Sequence, residues 1–529
     1  MTDVRIITES LGGSPLSQLM QRGEAPSPWM PRRPQTAAEW RERATQRVAE
    51  GGWTERWNRL APAFAASGPA ADRLERVKRD GGVVVTTGQQ PGLFGGPIYT
   101  WSKAMGALAL ADAIERETGV ATAAIFWAAT DDADFVEASF TVLAHTGGAE
   151  VLRSVNAPPA GTPMSLAALG DLAPLLAKLH AAAGSAADPR PLAAIARAYG
   201  DPACTVGDAY VSLLRELLTP LGVAVLDASH PAVRAESDAT LRAALRNAAA
   251  IGSALDLRRR ELLAAGHTPQ VADVAGLSLV SVREGSIKRR ISVKEATSTA
   301  DDASARLSPN VLLRPVVERA VLPTLAYLGG PGELAYFAQV SAVADALGMG
   351  EPLALPRWSC TLVEPHIAKL LDELGVGIDA VKRPDELEIA VARKAMSEES
   401  SRALAALRAT IAALPEVLAP ESNPLGLSAA VQGAMQSLQH RVDRLERRLV
   451  AGVKRREHRL LRDVATVRAA LAPLGTRQER ALTLIPAMSR HGIDILREMR
   501  AAAAAHADAL VNPAAVASMH TPPAVPART

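Results

Sequence analysis

The sequence has only two cysteines, Cys204 and Cys360, far apart and in no CxxC pair. That excludes a disulfide framework or a cysteine zinc site as the organising principle. None of the ten histidines falls in an HExxH or HxH pair, which argues against a zinc hydrolase. GxSxG is absent, so nothing marks an α/β-hydrolase nucleophile. Aromatic residues make up 3% of the chain. Charge of one sign is lacking too: 58 basic and 56 acidic residues leave a net +2, so no global polycation marks a nucleic-acid binder. No run approaches the roughly 20 uninterrupted apolar residues of a membrane helix, and residues 1–15 show no basic segment followed by an apolar run, so a cytoplasmic protein is expected. What the chain does have is length and apolar content, 529 residues at 48% hydrophobic, enough for two or three units with a sizeable core.

Residues 1 to about 75 read as helical material broken by prolines. The β-branched run Val83-Val84-Val85 predicts a first strand over 82–87, followed by a Gly/Pro-rich loop to Pro97. A helix is expected over 99–118 and a second buried strand over 120–129, closing in Asp131, Asp132 and Asp134. Strand, glycine loop, helix and strand within about 45 residues predict a βαβ unit with a right-handed crossover and a parallel sheet. Further strands are expected at 223–226, 321–328 and 353–356, with an inserted β-ribbon over 277–282 and 288–293. The fold class that follows is a mixed α/β core around a parallel sheet. Beyond Pro384 the pattern changes to three-and-four spacing. Leu404, Leu407, Ile411 and Leu414 carry it, a Pro-rich break is expected at 415–424, and Leu438, Val442, Leu445 and Leu449 resume it. The stretch from Val453 through Leu460 to Leu471 continues with a one-residue phase slip. This predicts two antiparallel helices forming a coiled-coil arm. The expected domains are a core over 1–384 with an insertion near 150–300, an arm over 385–475, returning helices over 476–510, and a disordered tail over 511–529.

Three constellations carry candidate chemistry. Thr87-Gly88-Gln89-Gln90-Pro91-Gly92-Leu93-Phe94-Gly95-Gly96-Pro97 follows a strand and precedes a helix, where open α/β sheets bind ligands. Its spacing is neither GxGxxG nor GxxxxGK[ST]. A tight structural turn would need the glycines but not the adjacent amides of Gln89 and Gln90. Trp127 with Asp131, Asp132 and Asp134 stands at a strand end, suited to a hydroxyl, an ammonium or a metal, or merely to capping the next helix. Asn310 and Arg314, then Gly329-Gly330-Pro331-Gly332-Glu333, Tyr336 and Gln339, form the third group; Glu333 and Tyr336 fall on one helix face. Arg314 and Arg357 are candidate clamps for carboxylate or phosphate. Lys288-Arg289-Arg290 suits a polyphosphate or an exposed hairpin face, and the basic stretch 441–463 suits a solvated helix face or an RNA contact.

Together these motifs resemble the cysteine-adding enzymes of bacillithiol biosynthesis. Gly88-Gln89-Gln90 with Gly92-Leu93-Phe94 and Gly96-Pro97 is similar to that family's glycine–glutamine loop. Ser308-Pro309-Asn310-Val311-Leu312-Leu313-Arg314-Pro315, Leu322-Pro323-Thr324 through Glu333, and Gly475 with Gln478-Glu479-Arg480 are close matches; Gly266-His267-Thr268-Pro269-Gln270-Val271 matches in part. The similarity runs in order over roughly residues 80–500.

The resemblance implies an α/β fold with a Rossmann-type parallel-sheet core and inserted connective segments, akin to nucleotidylyltransferases and class I aminoacyl-tRNA synthetases, with an antiparallel coiled-coil arm that helps form a homodimer. It implies that L-cysteine is joined to the amino group of glucosaminyl malate. An uphill condensation in water needs an activated carboxylate, for which ATP or another nucleotide with Mg2+ is the expected co-substrate. On this expectation Gln89, Asp132, Arg314 and Glu333 are catalytic. Gly88, Gln90, Gly92, Gly96, Lys103, Trp127, Asp134, His267, Gln270, Asn310, Gly330, Gly332, Tyr336 and Arg357 bind substrate or nucleotide, and no residue holds a resident metal. Gly88 to Gly92 would cradle phosphates, Lys103 or Arg314 would offset negative charge, and Asp132 or Glu333 would hold the cysteine ammonium. The chain departs from the family at Ala133, where a histidine is usual between the aspartates, and at Pro91 and Gly95. Two alternatives stay open at this level: an adenylating or RNA-binding relative of the synthetases, and a non-catalytic dimeric paralogue.

Overall fold

The computed structural model describes residues 2–272 and 274–513. Twelve strands occur among them: β1 (Arg5–Thr8), β2 (Val83–Gln89), β3 (Thr122–Ala128), β4 (Phe140–His145), β5 (Gly148–Arg153), β6 (Val223–Asp227), β7 (Leu277–Glu284), β8 (Ile287–Ser292), β9 (Leu307–Pro309), β10 (Thr324–Gly329), β11 (Ala354–Pro356) and β12 (Cys360–Val363). Two compact units divide the chain. One comprises Met1–Leu143, Val151–Leu362 and Glu479–Thr529; the other comprises Ala144–Glu150 and Val363–Gln478. The expected tail lies, from residue 514 on, outside the described residues.

The first unit is built on a five-stranded sheet in the order β11-β10-β2-β3-β6, and every pairing in it is parallel. From β2 the chain steps outward through β3 to β6, then returns to the other side of β2 for β10 and β11. The order therefore reverses between β2 and β10, and a crevice opens there at the carboxyl ends of the strands. Buried on both faces, β2 and β3 read as continuous apolar runs rather than alternating ones. Helix Ile98–Thr118 has no solvent-facing stripe to speak of, because the sheet covers one side and helix Ile495–Val511 another. The expected strand over 321–328 starts later. Val321 closes helix Arg314–Val321, Leu322 is extended ahead of Pro323, and β10 begins at Thr324. The expected ribbon is present as β7 antiparallel to β8, and β9 joins it on the other edge of β7.

The second unit is helical. Helix Glu398–Ser422 packs along helix Ser428–Arg456, burying Leu404, Ile411 and Val442 between them. The Pro-rich break expected at 415–424 does not break the first of these: the helix runs through Pro415 and Pro420 to Ser422. Arg408 reaches Asp443 at 2.8 Å and also Glu446, so the partner helix holds it in place despite the missing N–H groups. The phase slip has a structural counterpart at Glu457, which interrupts the helix between Arg456 and His458. Among the described residues Glu398–Ser422 is the one helix whose length and mean hydropathy (1.4) would also suit a bilayer, although Arg402 and Arg408 interrupt its apolar run.

Candidate active site at the carboxyl edge of the sheet

The crevice holds a cavity of about 250 Å3, lined from the ends of β2, β3, β10 and β11. Its floor is a buried ionic network. Helix Ile98–Thr118 sends Lys103, only 2% exposed, under the end of β2. The Lys103 ammonium donates to the Gly88 carbonyl (2.7 Å), to Gln89 Oε1 (3.0 Å) and to Glu333 Oε2 (2.6 Å). Burial lowers its pKa, and the Glu333 charge opposes that fall. Glu333 stands in the first turn of helix Pro331–Ala346, where its carboxylate also accepts the Gly330 N–H (2.7 Å) and the Tyr327 hydroxyl (2.5 Å). A first-turn glutamate reaching back to the cap is good capping chemistry, and here the same carboxylate neutralises Lys103.

At the opposite wall Arg314 donates to Asp132 Oδ2 at 3.1 Å. Burial pushes the Asp132 carboxyl up, and Arg314 and Lys288 more than offset it, holding it below the usual carboxylate range. One turn beyond Arg314, Glu318 lines the cavity at 3% exposure without an ion-pair partner among the described residues. Burial pushes it up to about 7, with Thr86 and Arg314 pulling the other way. At the mouth, Glu137 accepts hydrogen bonds from Gln90 Nε2 and from the Tyr99 hydroxyl (3.4 Å). It also has no cation partner among the described residues, and burial together with Asp134 and Asp132 raises its pKa. Arg357 forms a bidentate pair with Glu479 at 2.8 and 2.7 Å, both side chains nearly inaccessible. Arg357 and Arg480 approach the Tyr99 ring at 5.8 and 6.0 Å.

The description "Bacillithiol biosynthesis BshC, N-terminal Rossmann-like domain" belongs to a family model that matches residues 32–358, and its C-terminal coiled-coil counterpart matches residues 360–508. The chain belongs to the BshC family. Similar proteins from Solibacter usitatus (30% identical over 460 residues, 83% of this chain and 86% of the relative) and Koribacter versatilis (31% over 459 residues, 83% and 85%) are each named "Putative cysteine ligase BshC". One from Symbiobacterium thermophilum, with the same name, is 30% identical over 509 residues, 86% of this chain and 87% of the relative.

In this BshC family member the cavity gathers many of the residues expected from sequence and leaves others outside. Gly88, Gln89, Gln90, Lys103, Trp127, Arg314, Gly330, Gly332, Glu333, Tyr336 and Arg357 line it, and Asp132 stands directly behind Arg314. Gly92 and Gly96 do not line it. A Cβ on Gly92 would lie 2.7 Å from Gly96 Cα, and the Gly95 and Gly96 N–H groups are spent on Gly92 and Leu93 carbonyls. That half of the loop is a tight turn, so an approaching anion finds no free amides at Gly95 and Gly96. Asp134 caps the short helix Phe135–Ala138 through Glu137 N (3.1 Å), and Asn310 accepts the Leu312 and Leu313 N–H groups (3.1 and 3.0 Å). His267 packs edge-on against Trp29, and Gln270 lies beside Gly332 without lining the cavity. Arg357, a candidate substrate clamp, has its terminal nitrogens occupied by Glu479.

Sequence reasoning missed Tyr99, Glu137, Glu318, Tyr327 and Arg480. For Glu318 a signal existed, since it follows Arg314 by one helical turn and so shares its face. For Arg480 the signal was the Gln478-Glu479-Arg480 motif. Glu137 and Tyr99 had none, because only the tertiary fold brings the Ile98–Thr118 helix against the loop after β3.

Proposed function

We propose that the protein is a ligase that forms an amide between the carboxyl group of L-cysteine and the amino group of glucosaminyl malate, yielding bacillithiol, through a cysteinyl carboxylate activated by ATP or another nucleotide with Mg2+. The observation that carries the reading is Glu318, a carboxyl on the cavity wall with no counter-ion among the described residues, set near half-ionisation at neutral pH. An amine arrives protonated and attacks only once that proton is gone, and a base poised near 7 suits the task. With alanine at 133, Glu318 supplies the acceptor. Glu137, unpaired at the mouth, meets the cysteine ammonium better than Asp132 or Glu333, whose charges Arg314 and Lys103 already balance.

The nucleotide supplies the leaving group. Lys103 polarises the Gly88–Gln89 edge beneath it. Among the cavity's cations Arg480 alone has no carboxylate partner within the described residues, so it is the one free to face the developing negative charge. The exposed Leu438, Leu445 and Leu449 on helix Ser428–Arg456 support a homodimer through the coiled coil, and the same reading carries a cytoplasmic location. The test is direct. Purified protein with glucosaminyl malate, L-cysteine and ATP, with and without Mg2+, should give the product thiol by mass spectrometry. No condensation under any nucleotide condition, while a BshC relative works in parallel, would overturn the proposal.

A further inference from the structure

Trp127 lines both the cavity and a second, smaller pocket of about 60 Å3 beyond the ends of β3 and β6. Four cations, Arg234, Arg283, Lys288 and Arg306, line this pocket against a single carboxylate, Asp131. Lys288 is accounted for: its ammonium donates to the Asp131 carbonyl at 2.7 Å and stands 3.8 Å from the Asp131 carboxylate. The three arginines are not. None of them makes a side-chain hydrogen bond or ion pair among the described residues. Their neighbours differ, since Arg242 holds Asp238, Arg246 holds Asp301 and Arg289 holds Glu284.

Arg283 and Arg306 sit on adjacent strand segments, with Arg283 N donating to the Arg306 carbonyl at 2.9 Å. Like charges side by side on a sheet repel one another. An anion between them turns that repulsion into attraction. The rest of the wall narrows the class of anion. No glycine lines the pocket, so there is no nest of backbone amides of the sort that cradles phosphate. Instead Val233, Leu241, Leu307 and Val317 offer an apolar wall beside forked guanidiniums. Planar carboxylates on a short carbon chain fit that combination, because a guanidinium meets a carboxylate with two parallel hydrogen bonds.

We propose that this pocket binds the dicarboxylate end of the acceptor substrate, with Arg283 and Arg306 clamping its carboxylates and Arg234 closing the rim. A ligand anchored here extends past the Trp127 indole into the cavity that Glu318 lines. The assignment rests on the ligase reading for the identity of the acceptor, while the preference for a short dianion rests on the pocket alone.

Calorimetric titration of the full chain separates the two. L-malate, L-lactate, inorganic phosphate and ADP are titrated into the wild type, Arg306→Gln and the double variant Arg283→Gln/Arg306→Gln. Arg306 is exposed, so its substitution leaves folding intact. L-malate should bind the wild type, L-lactate at least about tenfold more weakly, and each lost arginine should cost a further factor of about ten. In steady-state assays the KM for the acceptor should rise by a similar factor while the KM for cysteine stays put. Malate binding that is absent from the wild type, or equal in wild type and double variant, overturns the proposal. So does tighter binding of phosphate or ADP than of malate, which would make this a phosphate site. A wild type that makes no thiol product yet loses malate affinity in the variants keeps the pocket and removes the ligase reading. Product formation with an unchanged acceptor KM in the variants does the reverse.

Discussion

Replacing Glu318 with glutamine removes a carboxyl that burial raises from its ordinary 4.5 to about 7. At about 1.4 kcal/mol per tenfold, ionising it inside the fold costs about 3 kcal/mol more than ionising it in the unfolded chain. The direction follows from proton counting. Below about pH 4.5 both states hold the proton, and above about 7 neither does. Between the two, the folded chain keeps a proton that the unfolded chain has lost. Stability contributed by the protonated group is therefore present at low pH and lost as pH rises through that window. Glutamine cannot ionise and escapes the loss. Relative to wild type, Glu318→Gln should gain about 3 kcal/mol of stability between pH 5 and pH 8.5, while its turnover at pH 8 falls by at least about 100-fold for want of a proton acceptor. The assay is urea denaturation followed by tryptophan fluorescence. All seven tryptophans (29, 40, 53, 57, 101, 127 and 358) lie in the Rossmann-like unit, so the signal reports that unit without interference from the helical one. A stability difference that is the same at both pH values would refute the reasoning, whatever its size.

Glu479→Ala strands the Arg357 guanidinium in a nearly inaccessible site and should cost about 3–5 kcal/mol, visible in the same fluorescence transition. Gly88→Ala places a Cβ 2.7 Å from the Trp127 carbonyl, a backbone atom that cannot swing away, so a loss of about 1–3 kcal/mol is expected with turnover falling as β2 and β3 are pushed apart. Leu445→Glu with Leu449→Glu removes exposed apolar surface from helix Ser428–Arg456; if the proposed homodimer forms through this face, sedimentation should show wild type as a dimer and the variant as a monomer, with the helical signal in circular dichroism retained.

The legibility of the candidate site was uneven for identifiable reasons. Gln89, Lys103, Arg314 and Glu333 stand within or beside motifs that end a strand or begin a helix, and in an open parallel sheet such positions converge whatever the loops do. Asn310 and Asp134 are polar residues of the same motifs yet turn back to cap nearby backbone, a choice that sequence spacing alone does not make. Arg357 was legible as a cation near the site, but not its bidentate partner Glu479, which lies 122 residues further along.

Local pattern alone determined several elements: the β-branched run that becomes β2, the helix expected from residue 99 and found from Ile98, the hairpin around 285, and the apolar spacing whose slip marks the interruption at Glu457. These follow from side-chain periodicity and turn chemistry, which act over a few residues. Tertiary structure decided which charges are spent and which are free. Whether Lys103 meets Glu333, whether Glu318 is left alone, and whether three arginines face one pocket depend on contacts between segments far apart in the chain. In a low-dielectric interior those contacts set the protonation and the reach of each group, and no window along the sequence contains them.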